Sequence, residues 1–256
     1  MMNDDGHPLP APQRNWALFL DFDGTLAELA PSPETVSVDA AMPEVLGDLL
    51  QGLGGAVAIV SGRPLAEIDR LVGIVLPGAG VHGLEMRERR NADVHPPAEV
   101  AGVARIEEAL APLVQRDPRL ILERKPGAIA LHYRRAPERE MECRAAMQAA
   151  FAGTTGLHLI EGKMVMEVKP SHVNKGYAIE NLMKVPPFAG RLPVFAGDDR
   201  TDEDGFGVVK ALKGVTIKIG PGVSLAEYRV ASVAAFMGWL KEVVSALSDQ
   251  ARLQEK

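Results

Sequence analysis

The feature that most constrains this chain is a set of near-continuous apolar runs that end in small or acidic residues. They are "WALFLD" (16–21), "AVAIVSG" (56–62), "LPVFAGDD" (192–199) and "VTIKIG" (215–220). A run of this kind has no polar face, so it suits a strand covered on both sides. Helical patterns separate the runs: "DAAMPEVLGDLLQGL" (39–53), "PLAEIDRLVG" (64–73), "NKGYAIENLMK" (174–184), "TDEDGFGVVKAL" (201–212) and a last helix near 232–248. Pro64 stands where a helix begins and its missing N–H does no harm. A short strand falls near 75–81. Strand–helix alternation of this type predicts an α/β core with a parallel, Rossmann-like sheet.

Between about 84 and 170 the pattern changes. "KMVMEVK" (163–169) alternates, with Lys163, Val165, Glu167 and Lys169 on one side and Met164, Met166 and Val168 on the other. "AIALHYR" (128–134) and "LILERK" (120–125) behave similarly, and two helices, near 97–116 and 137–152, lie among them. Half-buried strands with helices between them predict an antiparallel sheet with one open face. The expected organisation is a lead-in over 1–15 without order, a core over 16–84 and 171–256, and an inserted α+β domain over 85–170.

Composition narrows the partners. The 256 residues carry a net charge of −6 with scattered basic residues, which argues against nucleic acid. The N-terminus has no apolar run of signal-peptide type, and no stretch reaches the ~18 apolar residues a membrane helix needs. Cys143 is the one cysteine, read as a packed side chain, so a reducing compartment fits. The expectation is a soluble, cytoplasmic monomer.

Four polar stretches fall at strand ends or helix starts: "DFDGT" (21–25), "VSGR" (60–63), the lysine of "VNKG" (173–176) and "GDDRTDED" (197–204). Ligands of open parallel sheets bind beyond the carboxyl ends of the strands, so these can converge. Asp21, Asp23 and Asp198 offer hard oxygen ligands suited to Mg²⁺. Ser61 offers a hydroxyl, although a turn or helix-capping role competes for it. Lys175 offers a point charge at a helix start, where the dipole disfavours it, which hints at an anionic partner. Together they suit a phosphoryl group, with a carboxylate as possible nucleophile. "GAGVHG" (78–83) matches a nucleotide-loop pattern, but "LEMRER" follows instead of a helix, so that reading is rejected.

Taken in order, "DFDGTL", "VSGR", "NKG" and "GDDRTDED" resemble the haloacid dehalogenase (HAD) superfamily of phosphatases. The resemblance implies that Asp21 attacks phosphorus and that Asp23 is general acid and then base. It implies that Ser61 and Lys175 hold phosphoryl oxygens, and that Asp21, the main-chain carbonyl of Asp23 and Asp198 hold Mg²⁺. Asp199 and Asp202 would orient Lys175 or metal-bound water. "VHGLE" (81–85), "ERK" with "HYR" (123–134) and "EGKMVMEVKP" (161–170) are similar to the trehalose-6-phosphate phosphatase branch. By that likeness Glu123, Lys125, His132, Arg134, Glu161, Lys163 and Glu167 would include the groups that contact the sugar. Arg63, His82 and Gly83 would lie near the domain hinge. Spacing alone leaves those strand residues as an ordinary solvated sheet face. Other sugar phosphates, such as sucrose 6-phosphate, a phosphomutase reaction and a non-enzymatic sensor stay open as alternatives. The length leaves no room for a glycosyltransferase domain, so a stand-alone phosphatase is expected.

Overall fold

A computed structural model describes residues 9–29, 36–95, 101–125, 127–162 and 164–254, apart from the side chains at 101, 125 and 254. The chain forms two compact units, 1–95 with 174–256, and 96–173.

The first unit is built on a seven-stranded sheet. Its strands are β1 (Trp16–Leu20), β2 (Val57–Val60), β3 (Gly78–Gly80), β4 (Glu85–Arg87), β9 (Leu192–Gly197), β10 (Val215–Ile219) and β11 (Tyr228–Val230). The spatial order is β11-β10-β9-β1-β2-β3-β4, and every pairing is parallel except β3 with β4. Successive strand residues point to opposite faces. Leu18 and Leu20 of β1 accordingly pack with α1 (Met42–Gly52), α2 (Leu65–Val72) and α7 (Val233–Gln254). Ala17 and Phe19 pack with α5 (Lys175–Leu182) and α6 (Glu203–Ala211). Both faces are dry, which is why these strands read as continuous apolar runs.

The second unit has a four-stranded antiparallel sheet in the order β5 (Ile121–Lys125), β6 (Ala128–His132), β8 (Val165–Pro170), β7 (Leu157–Gly162). One face packs on α3 (Ala101–Arg116) and α4 (Glu140–Phe151) through Ile129, Leu131, Met166 and Val168 against Ile106, Leu110 and Met147. Cys143 is buried in this core, and burial pushes its thiol up.

The sequence reading places residues 85–95 in the insertion, whereas β4 pairs antiparallel with β3 at the edge of the first sheet. A strand of three residues is too short to show a period. Of the lead-in over 1–15, residues 1–8 lie outside the described residues. Leu9 is buried in the core, and the Gln250 side chain donates to the Pro12 carbonyl at 3.0 Å. Among the described residues, no helix is long and apolar enough to cross a membrane.

Candidate active site

Three neighbouring strands deliver the acid and hydroxyl groups. Asp198 follows β9, Asp21 follows β1 and Ser61 follows β2, all at carboxyl ends. Lys175 is the first residue of α5, whose N-terminus is capped by Asn174 through the Tyr177 amide at 2.8 Å. The Asp21 amide donates to the Ala196 carbonyl at 2.9 Å, so the β1–β9 pairing reaches the acid itself. Gly24 then turns the chain with φ +77°. A Cβ there would lie 2.1 Å from a carboxylate oxygen of Asp198, so only glycine lets Asp198 come this close.

The centre of the site is a buried ion cluster. Lys175 Nζ donates to Asp21 Oδ1 and to Asp202 Oδ1, each at 2.7 Å. The other oxygen of Asp202 accepts the amides of Asp198 and Asp199, each at 3.0 Å. Asp21 Oδ2 accepts from the Thr25 hydroxyl at 3.3 Å. Burial pushes the Asp21 and Asp202 carboxyls up to about 7, against the pull of Lys175. Asp198 is raised to about 6 by burial and then by its neighbours Asp202 and Asp199. Burial by itself would lower the Lys175 ammonium, but the two carboxylates outweigh it and hold the group protonated.

The cluster calls for a further positive charge. Carboxylate oxygens of Asp21, Asp198 and Asp202 lie within 4.8 Å of one another. Both oxygens of Asp202 are committed to Lys175 and the two amides. Asp21 and Asp198 remain, and their carboxylates lie within hydrogen-bonding reach of each other. Two carboxylates so close need a proton or a cation between them. An all-oxygen donor set favours a hard ion such as Mg²⁺.

Asp23 faces elsewhere. Arg63 grips it by both oxygens, Nε to Oδ2 at 2.6 Å and Nη2 to Oδ1 at 2.9 Å. Nη1 of Arg63 binds Glu67, and the guanidinium lies 5.8 Å from the centre of the Phe22 ring. The Arg63 amide donates to Ser61 Oγ at 3.2 Å, and Ser61 itself is buried. Beyond β3, His82 takes the left-handed region at φ 57° in a one-turn 3-10 helix, followed by Gly83 at φ 107°. The His82 ring leaves no room for a side chain at residue 62, where a Cβ would lie 2.8 Å away. Asp199 lies close enough to feel the Lys175 charge, but the hydrogen bonds of Lys175 go to Asp21 and Asp202. Asp199 caps the turn at 200–202 by accepting the Thr201 amide at 2.8 Å and hydroxyl at 2.7 Å.

In the second unit the strand register sorts the sugar-contact candidates. Ala130 is paired with Glu123 on one side and Glu167 on the other, so both glutamates flank a small residue on the open face. His132 shares that face and binds Glu123 through Nε2 at 2.8 Å. The register gives Lys125 the same parity. A cavity of about 400 Å³ is lined by Glu123, His132 and Arg134 together with Arg119, Ile121 and Arg135. Glu161 is not with them. It pairs with Met166 on the helix-covered side and forms an ion pair with Arg144 of α4 at 2.5 Å. Lys163 lies outside the described residues.

The sequence profile of the trehalose-phosphatase family matches residues 19–248. The chain belongs to that family. Its members are phosphoric monoester hydrolases, and this chain is one of them. A probable trehalose-phosphate phosphatase of Sinorhizobium fredii is 41% identical over 83% of this chain and 81% of its own length. The trehalose-6-phosphate phosphatase of Escherichia coli is 39% identical over 94% and 91%. Among solved structures, the trehalose-6-phosphate phosphatase of Aspergillus fumigatus superposes with a TM-score of 0.65 at 26% identity, covering 93% of this chain and 100% of that one. The fold is shared with a Bacteroides thetaiotaomicron phosphatase of the haloalkanoate (HAD) enzyme superfamily, at a TM-score of 0.54 and 14% identity, over 90% of this chain and 94% of that one.

The structure also brings in two side chains that the motif reading passed over. Lys218, in β10, is buried and donates to the main-chain carbonyls of Asp198 and, at 3.1 Å, Ile219. A lysine inside the apolar "VTIKIG" was the available signal. Glu85 is the second case, since its carboxylate caps the start of α2 through the Leu65 amide at 2.7 Å.

Proposed function

We propose that this chain hydrolyses trehalose 6-phosphate to trehalose and inorganic phosphate, with Mg²⁺ as cofactor and an aspartyl phosphate as intermediate. The observation that carries the reading is the buried Asp21–Lys175–Asp202 cluster facing Asp198, in a member of this family. The names of its relatives support the substrate.

Asp21, Asp198 and the main-chain carbonyl of Asp23 would hold Mg²⁺, which when bound supplies charge neutralisation to the phosphoryl oxygens. Lys175 takes one oxygen of Asp21, and the remaining oxygen attacks phosphorus. The bond from phosphorus to the sugar oxygen breaks, and Asp23, once it has left its pairing with Arg63 and taken up a proton from solvent, gives that oxygen the proton. Asp23, now a carboxylate, takes a proton from a water that attacks the aspartyl phosphate, and Asp21 is expelled intact. Ser61 and Lys175 hold phosphoryl oxygens through these steps. Arg63 sets where the Asp23 carboxylate stands, and His82 and Gly83 shape the neighbouring turn. Asp202 keeps Lys175 in place, and Asp199 fixes the turn that follows Asp198. Glu123, Lys125, His132, Arg134 and Glu167 contact the disaccharide, whose hydroxyls both donate and accept.

The test is phosphate release by the purified protein with Mg²⁺, comparing trehalose 6-phosphate with glucose 6-phosphate, sucrose 6-phosphate and p-nitrophenyl phosphate. The reading expects strong preference for trehalose 6-phosphate, lost in EDTA. Equal rates on all substrates would remove the sugar assignment, and no release from any would remove the phosphatase reading.

A further inference from the structure

Lys218 sits opposite Gly197 in the β9–β10 register, 5% exposed. Its neighbours Ile217 and Ile219 point to the other face, into the core shared with α7. Burying an ammonium is costly unless it is compensated. Here the compensation comes from main-chain carbonyls, those of Asp198 and Ile219; among the described residues no carboxylate forms an ion pair with it. An apolar residue would fill the same space, so packing does not account for a lysine.

Asp198 is held at three points. Its amide donates to Asp202, its carbonyl accepts from Lys218, and its side chain packs over Gly24 toward Asp21. Asp202 in turn holds Lys175. Lys218 therefore completes a brace around the residue that carries the carboxylate.

We infer that Lys218 is a positioning residue for the cation site: it fixes the Asp198 main chain so that the Asp198 carboxylate meets Asp21. The inference rests on the Mg²⁺ reading proposed above. It also has a distinctive sign. The charge of Lys218 favours the ionised Asp198 carboxyl. At about pH 8, where the titration below is run, Asp198 is ionised in any case. There a lysine acting only through its charge repels a nearby cation, so removing it would tighten cation binding. A lysine acting by holding the chain does the opposite. Charge and holding make opposite demands, and the two carbonyl bonds favour holding.

The experiment is a Mg²⁺ titration of the full-length protein at about pH 8 without substrate, by calorimetry, with Mn²⁺ binding followed by electron paramagnetic resonance as a second probe. Lys218→Met, Lys218→Gln and Lys218→Arg are compared with the wild type, each first melted in EDTA. Lys218→Met is expected to bind about tenfold more weakly, in the range seen when partners behind metal ligands are removed. Lys218→Arg, which keeps charge and donors, is expected to stay within about threefold. If Lys218→Met does not fold in EDTA, Lys218→Gln decides on the same scale. Unchanged or tighter binding in a folded Met or Gln variant overturns the inference. A wild type that binds neither ion would instead overturn the Mg²⁺ reading, so the two failures are distinguishable.

Discussion

Lys175 Nζ stands 2.7 Å from Oδ1 of Asp21, across 154 residues of sequence that include the whole second unit. Both side chains are buried, and Asp202 binds the same ammonium at 2.7 Å. One cation thus serves two carboxylates, which leaves the group net negative and short of positive charge. That shortage is the physical basis of the cation site proposed above.

Removing the lysine strands two buried acids. Lys175→Met should lower stability by about 3–5 kcal/mol, as when one partner of a buried ion pair is deleted. Urea unfolding in EDTA at neutral pH checks this. A cost under about 1 kcal/mol would mean that the cluster is solvated after all.

The same shortage gives a pH dependence. Asp198 and Asp21 are raised from 3.8 to about 6 and about 7 in the folded chain. A raised carboxyl contributes stability that is present below the unfolded value and lost as pH rises through the folded one. In EDTA, stability should therefore fall between about pH 4 and about pH 8 on account of these groups. A cation needs the ionised forms, so the increase in melting temperature caused by Mg²⁺ should grow over the same window. Melting curves with and without Mg²⁺ at about pH 5 and about pH 8 measure it, and an equal shift at both would contradict the assignment.

Gly24 sets how close Asp198 comes. Gly24→Ala must place a side chain at φ +77° and 2.1 Å from the Asp198 carboxylate. The left-handed backbone costs about 1–2 kcal/mol, and displaced Asp198 should weaken Mg²⁺ binding about tenfold or more. Denaturation and metal titration read the two effects separately.

The sugar contacts should separate from the chemistry. Glu123→Ala and Glu167→Ala, on either side of Ala130, should raise KM for trehalose 6-phosphate about tenfold or more each. Hydrolysis of p-nitrophenyl phosphate should change less than about threefold. Glu161→Ala, which breaks an ion pair with Arg144 on the helix side, should affect stability more than KM.

The candidate groups Asp21, Ser61 and Asp198 were legible because each lies in a short local motif at the end of an apolar strand, and Lys175 because it starts a helix, where the dipole disfavours a lysine. The covered sheet was legible for a related reason: Leu18 and Phe19 face opposite dry layers, so the run carries no polar alternation. β4 and β11 have three residues each and carry no period to read. Glu161 was grouped with Glu167 because both stand in one polar stretch, but they fall on different strands, β7 and β8, and the pairing puts Glu161 opposite Met166. The grip of Arg63 on Asp23 spans 40 residues and Lys218 reaches Asp198 across 20; only the folded pairing of strands brings such residues together.

The most direct test of the account is rapid acid quench of the enzyme during turnover of trehalose 6-phosphate, followed by mass spectrometry of its peptides. A phosphoryl group on Asp21, formed and lost at rates that match turnover and absent in Asp21→Asn, is the predicted result. Turnover at the wild-type rate by Asp21→Asn, or a phosphoryl group on another residue, would contradict it.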